Sequence, residues 1–299
     1  MRMRKINRRA FIGGAIWAAA GPLFPRPLRS RTGWTGPGRR DEEPVLSPPP
    51  ARRFELGLAS YTFREFDLDS TLILAGRLGL LRIALKDVHL PLDSPAAAVR
   101  AAAAKVKAAG LVLYGCGVVY MKNEAEVDRA FTYAQAGSME VIIGVPGYEL
   151  LDRVERRVRE TGIRLAVHNH GPGDLLYPTP RTILDRIRGL DPRVGVCLDV
   201  GHCQRSGIDP SEAAAECGPR LLDVHLKDVT APTKGGTAVE AGRGVVDLVR
   251  FLRTLTAMEY GGTAAFEYEK DGKDPLPGLA ESVGYIRGIL ADEDRGRAA

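Results

Sequence analysis

Four stretches of the chain end an apolar run with a side chain able to hold a metal ion. They read LAVHNHG (165–171), GVCLDVGH (195–202), DVHLKD (223–228) and AAFEYEKD (264–271), and the residues at the ends are His168, Asp199, His225 and Glu267. An imidazole or carboxylate just past a run of Val, Leu, Ile and Ala is costly to bury unless something compensates. A divalent cation is the usual compensation. Other strand-like runs end in further polar groups: Tyr61 and Arg64, Lys86 and His89, and Tyr120. All five histidines of the chain, His89, His168, His170, His202 and His225, fall at such endings. A cation with a free imidazole beside it is suited to polarising a carbonyl while the imidazole, with an ordinary pKa near ~6.5, moves a proton.

Eight strand-like runs follow residue 53, over 54–60, 80–85, 111–117, 139–145, 163–168, 193–199, 221–226 and 263–268. Between them, apolar residues at three- and four-residue spacing predict helices over 68–79, 95–109, 123–137, 148–161, 178–189, 209–218, 245–258 and 278–290. Caps are expected at Asp93-Ser94-Pro95 and at Asp209-Pro210-Ser211-Glu212. Regular alternation of strand and helix implies parallel strands with right-handed crossovers. Eight repeats match a closed (β/α)8 TIM barrel, and no GxGxxG follows the first strand to favour an open doubly wound sheet. In such a barrel the C-terminal ends of the strands converge on one pocket. His168, Asp199, His225 and Glu267 then come from four neighbouring strands, the fifth to the eighth.

The barrel is expected over 54–290, with a tail at 291–299. Residues 1–20 place Arg8 and Arg9 ahead of a weakly apolar stretch from Ile12 to Ala20. That is the build of a twin-arginine export signal, and the expected location is extracytoplasmic. The stretch is too short to span a bilayer, which takes ~20 residues. Residues 21–53, rich in Pro, Arg and Gly, predict a disordered linker. Residues 1–53 hold twelve Lys and Arg against three Asp and Glu, so the chain's net +5 leaves −4 on 54–299. An acidic barrel is a poor electrostatic partner for nucleic acid. The four cysteines show no CxxC spacing: Cys116 and Cys197 lie inside apolar runs, and a Cys203–Cys217 disulfide is compatible with export but not expected.

At these motifs the chain resembles the sugar phosphate isomerase/epimerase superfamily with the xylose isomerase-like barrel. That superfamily includes inosose dehydratases, ketose 3-epimerases and endonuclease IV-type repair enzymes. The resemblance spans 54–290 and is most specific at the Asp-x-x-His of LDVGH, the His of VHLKD and the Glu of FEYE. It implies that Asp199, His225 and Glu267 are ligands of one divalent metal, manganese first, with Zn, Co, Fe or Mg as alternatives. It also implies that His202 contacts substrate. The fifth-strand ligand of the sugar-active members is a Glu. Here that position reads His168, followed by Asn169 and His170, so the facing pair of glutamates is absent. One of His168 and His170 can bind metal while the other serves as base.

The expected activity is that of a metal-dependent sugar isomerase or epimerase, abstracting a proton beside a carbonyl through a stabilised enediolate. His170 or Glu267 is the expected base, and His202 or Lys227 the proton donor or oxygen-orienting group. Substrate contacts are expected from Tyr61, Lys86, His89, His202, Lys227 and Arg243, with Tyr61 and Tyr177 placed to stack on a sugar ring. Arg243 lies in KGGTAVEAGRG (234–244), read as a mobile loop over the mouth. The alternative is a lyase or dehydratase eliminating a β-substituent from a keto-sugar, which the missing fifth-strand Glu favours. Phosphodiester hydrolysis needs more metals and a basic surface, and a non-catalytic sugar-binding barrel is the remaining contrast. The expected partner is a small carbohydrate, with no nucleic acid and no membrane span in the mature form. Homo-oligomerisation is left open.

Overall fold

The computed structural model describes residues 54–298. The proposed signal and linker, at 1–20 and 21–53, lie outside the described residues. Seven strands come first: β1 (Glu55–Ala59), β2 (Arg82–Leu85), β3 (Val112–Met121), β4 (Val141–Pro146), β5 (Arg164–His168), β6 (Val194–Asp199) and β7 (Leu221–Leu226). A short antiparallel pair, β8 (Asp228–Val229) and β9 (Ala238–Val239), precedes the last strand, β10 (Thr263–Phe266). The eight long strands close in the order β1-β10-β7-β6-β5-β4-β3-β2, every pair parallel. This is the TIM barrel expected from the alternation of elements.

The helices are α1 (Leu68–Arg77), α2 (Ala96–Ala108), α3 (Glu124–Ala136), α4 (Leu151–Thr161), α5 (Pro180–Ile187), α6 (Val200–Arg205), α7 (Pro210–Cys217), α8 (Leu248–Ala257) and α9 (Leu276–Ala298). Their buried faces are periodic, as in Val127, Ala130, Phe131 and Ala134 of α3, and they cover a sheet whose strands are buried almost throughout. Asp209 caps α7 as expected, accepting from the amides of Ser211 and Glu212 at 2.7 and 3.2 Å. At α2 the expectation fails: Pro95 is the N-cap and no side chain bonds the first turn.

Three further departures bear on the mouth of the barrel. β3 runs on to Met121, its register with β4 shifting between Cys116 and Val119, so Tyr120 lies on the strand rather than after it. β6 passes directly into α6, which was not expected. α9 continues past residue 290 through the segment read as a tail; Leu290 is buried, and Thr256 donates to Glu293 at 3.3 Å.

Candidate metal centre

Register places the four expected ligands together. His168 is the last residue of β5, Asp199 the last of β6 and paired with His225 of β7, and Glu267 follows β10 immediately. One ligand atom from each lies within 4.8 Å of every other. His168 Nε2 is 3.2 Å from His225 Nδ1 and 3.6 Å from Asp199 Oδ2, and His225 Nδ1 is 3.2 Å from Glu267 Oε2. Bonds of about 2.1 Å to one ion put neighbouring donors roughly 3.0–3.4 Å apart, so these spacings suit a shared cation.

Local structure aims each group. Asp199 is the N-cap of α6: its Oδ1 accepts from the His202 amide at 2.7 Å, which leaves Oδ2 turned into the cluster. Asn169 clamps β5 to β6, accepting from the Asp199 amide at 2.9 Å and donating to the Asp199 carbonyl at 3.2 Å. Lys227 brings its ammonium to 3.1 Å from Asp199 Oδ2, 2.9 Å from Glu267 Oε2 and 3.1 Å from Glu269 Oε1. Gly201 is what lets the lysine stem pass, because a Cβ there would lie 2.8 Å from Lys227 Cγ. Three carboxylates against one ammonium leave −2 when the imidazoles are neutral, the charge one divalent cation balances.

The surroundings set protonation. Burial pushes the His168 imidazole down to about 4, keeping a lone pair free for an ion. Burial alone would lower His225 too, but the Glu267 carboxylate against it raises it to about 9. Burial disfavours ionised Asp199 and Glu267; His202 and then Lys227 beside Asp199, and Lys227 and then His225 beside Glu267, nevertheless hold both carboxyls well below the usual range. The buried atoms without a hydrogen-bond partner include His168 Nδ1, Asp199 Oδ2 and His225 Nε2. Of these only Asp199 Oδ2 faces the cluster, the two nitrogens lying on the far side of their rings. That orphaned oxygen, with a borderline nitrogen and oxygen donor set around it, fits a divalent transition metal.

His170 and His202 form a second layer. The His170 ring lies 4.4 Å from His168 and 5.8 Å from His202. Its Nε2 is 2.9 Å from the Tyr120 hydroxyl, with the two rings stacked. Gly171, at φ +81°, turns the chain immediately after His170, and Tyr177 O accepts the His170 amide at 3.0 Å. His202 lies 6.0 Å from His168, centroid to centroid. An Arg205 NH donates to His202 Nδ1 at 3.3 Å, and since arginine only donates, the remaining proton of the neutral ring sits on Nε2.

Comparison with known proteins agrees with this geometry. The family model described as the xylose isomerase-like TIM barrel matches residues 147–289, which carry all four clustered side chains and both second-layer histidines. The likeness to that family is carried by 147–289, and the closed barrel itself by the whole of the described fold. It is 30% identical over 155 residues to the rhizopine catabolism protein MocC of Rhizobium meliloti, covering 46% of each chain. It is 31% identical over 155 residues to the inosose dehydratase of Geobacillus kaustophilus (strain HTA426), covering 46% of this chain and 47% of that one. The chain thus spans about half the length of the curated relatives it matches. Among solved structures, a xylose isomerase domain protein from Alicyclobacillus acidocaldarius superposes with a TM-score of 0.67 at 20% identity, covering 81% of this chain and 99% of that one.

In this barrel several residues expected at the site are occupied elsewhere. His89 bonds Ser60 Oγ at 2.9 Å through Nδ1, and Thr71 Oγ1 and the Phe63 carbonyl, both at 3.1 Å, through Nε2. Both nitrogens brace the segment after β1 and none is left for substrate. Arg243 forks onto Glu281 of α9, with its second NH at 2.8 Å, and that ion pair occupies its guanidinium. Tyr177 is wholly buried and donates to the Pro146 carbonyl at 2.9 Å, so it has no face to offer a ring. Lys86 follows β2 with its ammonium on the Val118 carbonyl at 2.6 Å, and Tyr61 carries the Arg64 guanidinium 5.0 Å over its ring.

Nor is 234–244 a free lid. Asp228 accepts the amides of Val229, Gly242, Gly244 and Val246 at 2.8–3.2 Å, and Glu240 accepts from Tyr268 and Lys270, each at 2.8 Å. Cys203 and Cys217 are free thiols.

Asn169, Arg205 and Asp223 were not singled out from the sequence. A signal existed for Asp223, two residues before His225 and so on the same face of β7.

Proposed function

We propose that the protein is a metal-dependent carbohydrate lyase, removing a proton beside a carbonyl and expelling the hydroxyl on the next carbon. The observation that carries this reading is His168. Where a carboxylate on the fifth strand would face Glu267, β5 ends in a buried imidazole packed on His225. Proton transfer to either face of one carbon needs an acid–base group on both sides, and elimination needs only a base and a group that helps water leave. The likeness to an inosose dehydratase over 155 residues supports the same choice. A keto-cyclitol or keto-sugar is therefore the proposed substrate class.

His168, Asp199, His225 and Glu267 would hold a divalent cation, which when bound would supply Lewis-acid polarisation of a carbonyl. His170 is the proposed base: its burial holds the imidazole below its ordinary value, so it is neutral at pH 7, and Tyr120 fixes its orientation. His202, carrying its proton on Nε2, is the donor to the departing hydroxyl. Lys227 places a fixed positive charge where an oxygen gains negative charge.

The isomerase or epimerase reading takes second place; the single carboxylate of Glu267 opposite His170 is what favours it. Incubating metal-loaded protein with an inosose in D2O separates the two. A product lighter by one water supports the lyase. A product of unchanged mass carrying solvent deuterium supports the isomerase. Neither product with any keto-cyclitol or keto-sugar removes both. We also propose residues 1–20 as an export signal, which would favour an unphosphorylated substrate outside the cytoplasm.

A further inference from the structure

The reading of the four-residue cluster as a cation site leaves one buried acid unexplained. Asp223 is inaccessible to solvent inside the barrel, on β7 two residues before His225, and belongs to none of the clustered ligands. Its Oδ2 lies 3.6 Å from His225 Nε2 and accepts the thiol of Cys197, its register partner on β6, at 3.4 Å. His225 thus has a different neighbour at each nitrogen, with Nδ1 facing His168 and Glu267 and Nε2 facing Asp223. Both Asp223 Oδ1 and His225 Nε2 lack a hydrogen-bond partner. A carboxylate held in a dry interior is expensive unless it has work to do on a neighbour.

We propose that Asp223 is the positioning residue of the cation site: its carboxylate holds the His225 ring through Nε2–H and thereby turns the Nδ1 lone pair into the cluster. Imidazole ligands commonly donate their second N–H to a carboxylate, which fixes tautomer and ring angle and raises ligand basicity. The 3.6 Å contact lies roughly half an ångström outside hydrogen-bond range, so a small ring shift closes it. Cys197 fixes the carboxylate in turn, a neutral donor whose thiol burial keeps protonated. The inference rests on the cation-site reading and adds a residue to it that no ligand count would include.

Co2+ is the probe, added to the full-length protein, with chelator competition giving its affinity. Nitrogen-15 histidine NMR of the Zn2+-loaded protein reads the tautomer of each ring. The expected result is Nε2–H at His225. Asp223→Leu should bind Co2+ about ten- to a hundredfold more weakly, and Asp223→Asn, which keeps an acceptor oxygen, should recover much of that loss. Co2+ binding by Asp223→Leu within about twofold of the unaltered protein, or Nδ1–H at His225, overturns the inference. Should the Leu variant fail to fold, the tautomer of the unaltered protein still decides. Failure of the unaltered protein to take up Co2+ sinks the cation-site reading itself, a result distinct from uptake that ignores Asp223.

Discussion

At the scale of single residues, His225 and Lys227 carry the most testable chemistry. Without an ion the imidazole of His225 is raised to about 9 by Glu267, so at pH 7 it holds a proton that a cation must displace from Nδ1. Binding of Co2+ at pH 7 should therefore release one proton to the buffer, and affinity should fall as pH drops below about 9. His168, held down to about 4, contributes no such release. Calorimetry in buffers of different ionisation enthalpy reads the proton count, and a count of zero contradicts the assignment of Nδ1 as ligand. Lys227 is the counter-charge for Asp199, Glu267 and Glu269. Lys227→Met strands those acids in the interior and should cost about 3–5 kcal/mol in denaturant unfolding without metal. Saturating Co2+ should restore a large part of it. Equal loss with and without the ion would show that the ammonium and the cation do not share the same carboxylates.

At the scale of elements, the eight barrel strands were legible because strands buried on both faces read as continuous apolar runs. Their ends gave the clustered side chains because a parallel barrel gathers those ends. What the sequence hid was local capture of side chains. His89 ends a strand-like run just as His225 does, yet Ser60, Thr71 and Phe63 take both its nitrogens. Tyr177 and Arg243 were lost in the same way, one to a carbonyl and the other to Glu281. VGHCQR passes for a loop because a six-residue helix shows too little periodicity, although Asp199 sits at its start as an N-cap.

The segment after β7 is the clearest reversal, since glycine-rich composition suggested mobility and Asp228 supplies order. Asp228→Ala leaves several amides without an acceptor, at about 1–3 kcal/mol for each one that stays buried. It should expose 229–247 to limited proteolysis, and unchanged cleavage would show another anchor. Glu240, held to about 2 chiefly by Lys270 against an ordinary 4.5, stabilises the fold fully above pH 4.5. That contribution should fade as pH falls from 4.5 through about 2, so the stability gap between the protein and Glu240→Gln narrows over that window. A gap that widened instead would reverse the sign.

At the scale of the whole molecule, the closed sheet performs one task for the site: it brings groups far apart in sequence to a single rim. Charge is distributed to match, with the basic excess in residues 1–53 and −4 on 54–299. Among the described residues no helix is long and apolar enough to cross a membrane. If residues 1–20 direct export, replacing Arg8 and Arg9 by Lys should retain a fused reporter in the cytoplasm, and unchanged export would remove the signal. The most direct measurement is the metal content of the purified full-length chain. The expected result is one divalent ion per chain, lost when His168 and Asp199 are replaced by Ala and Asn. A chain that takes up no ion, or one that keeps its ion without those two side chains, would contradict the cluster as a metal centre.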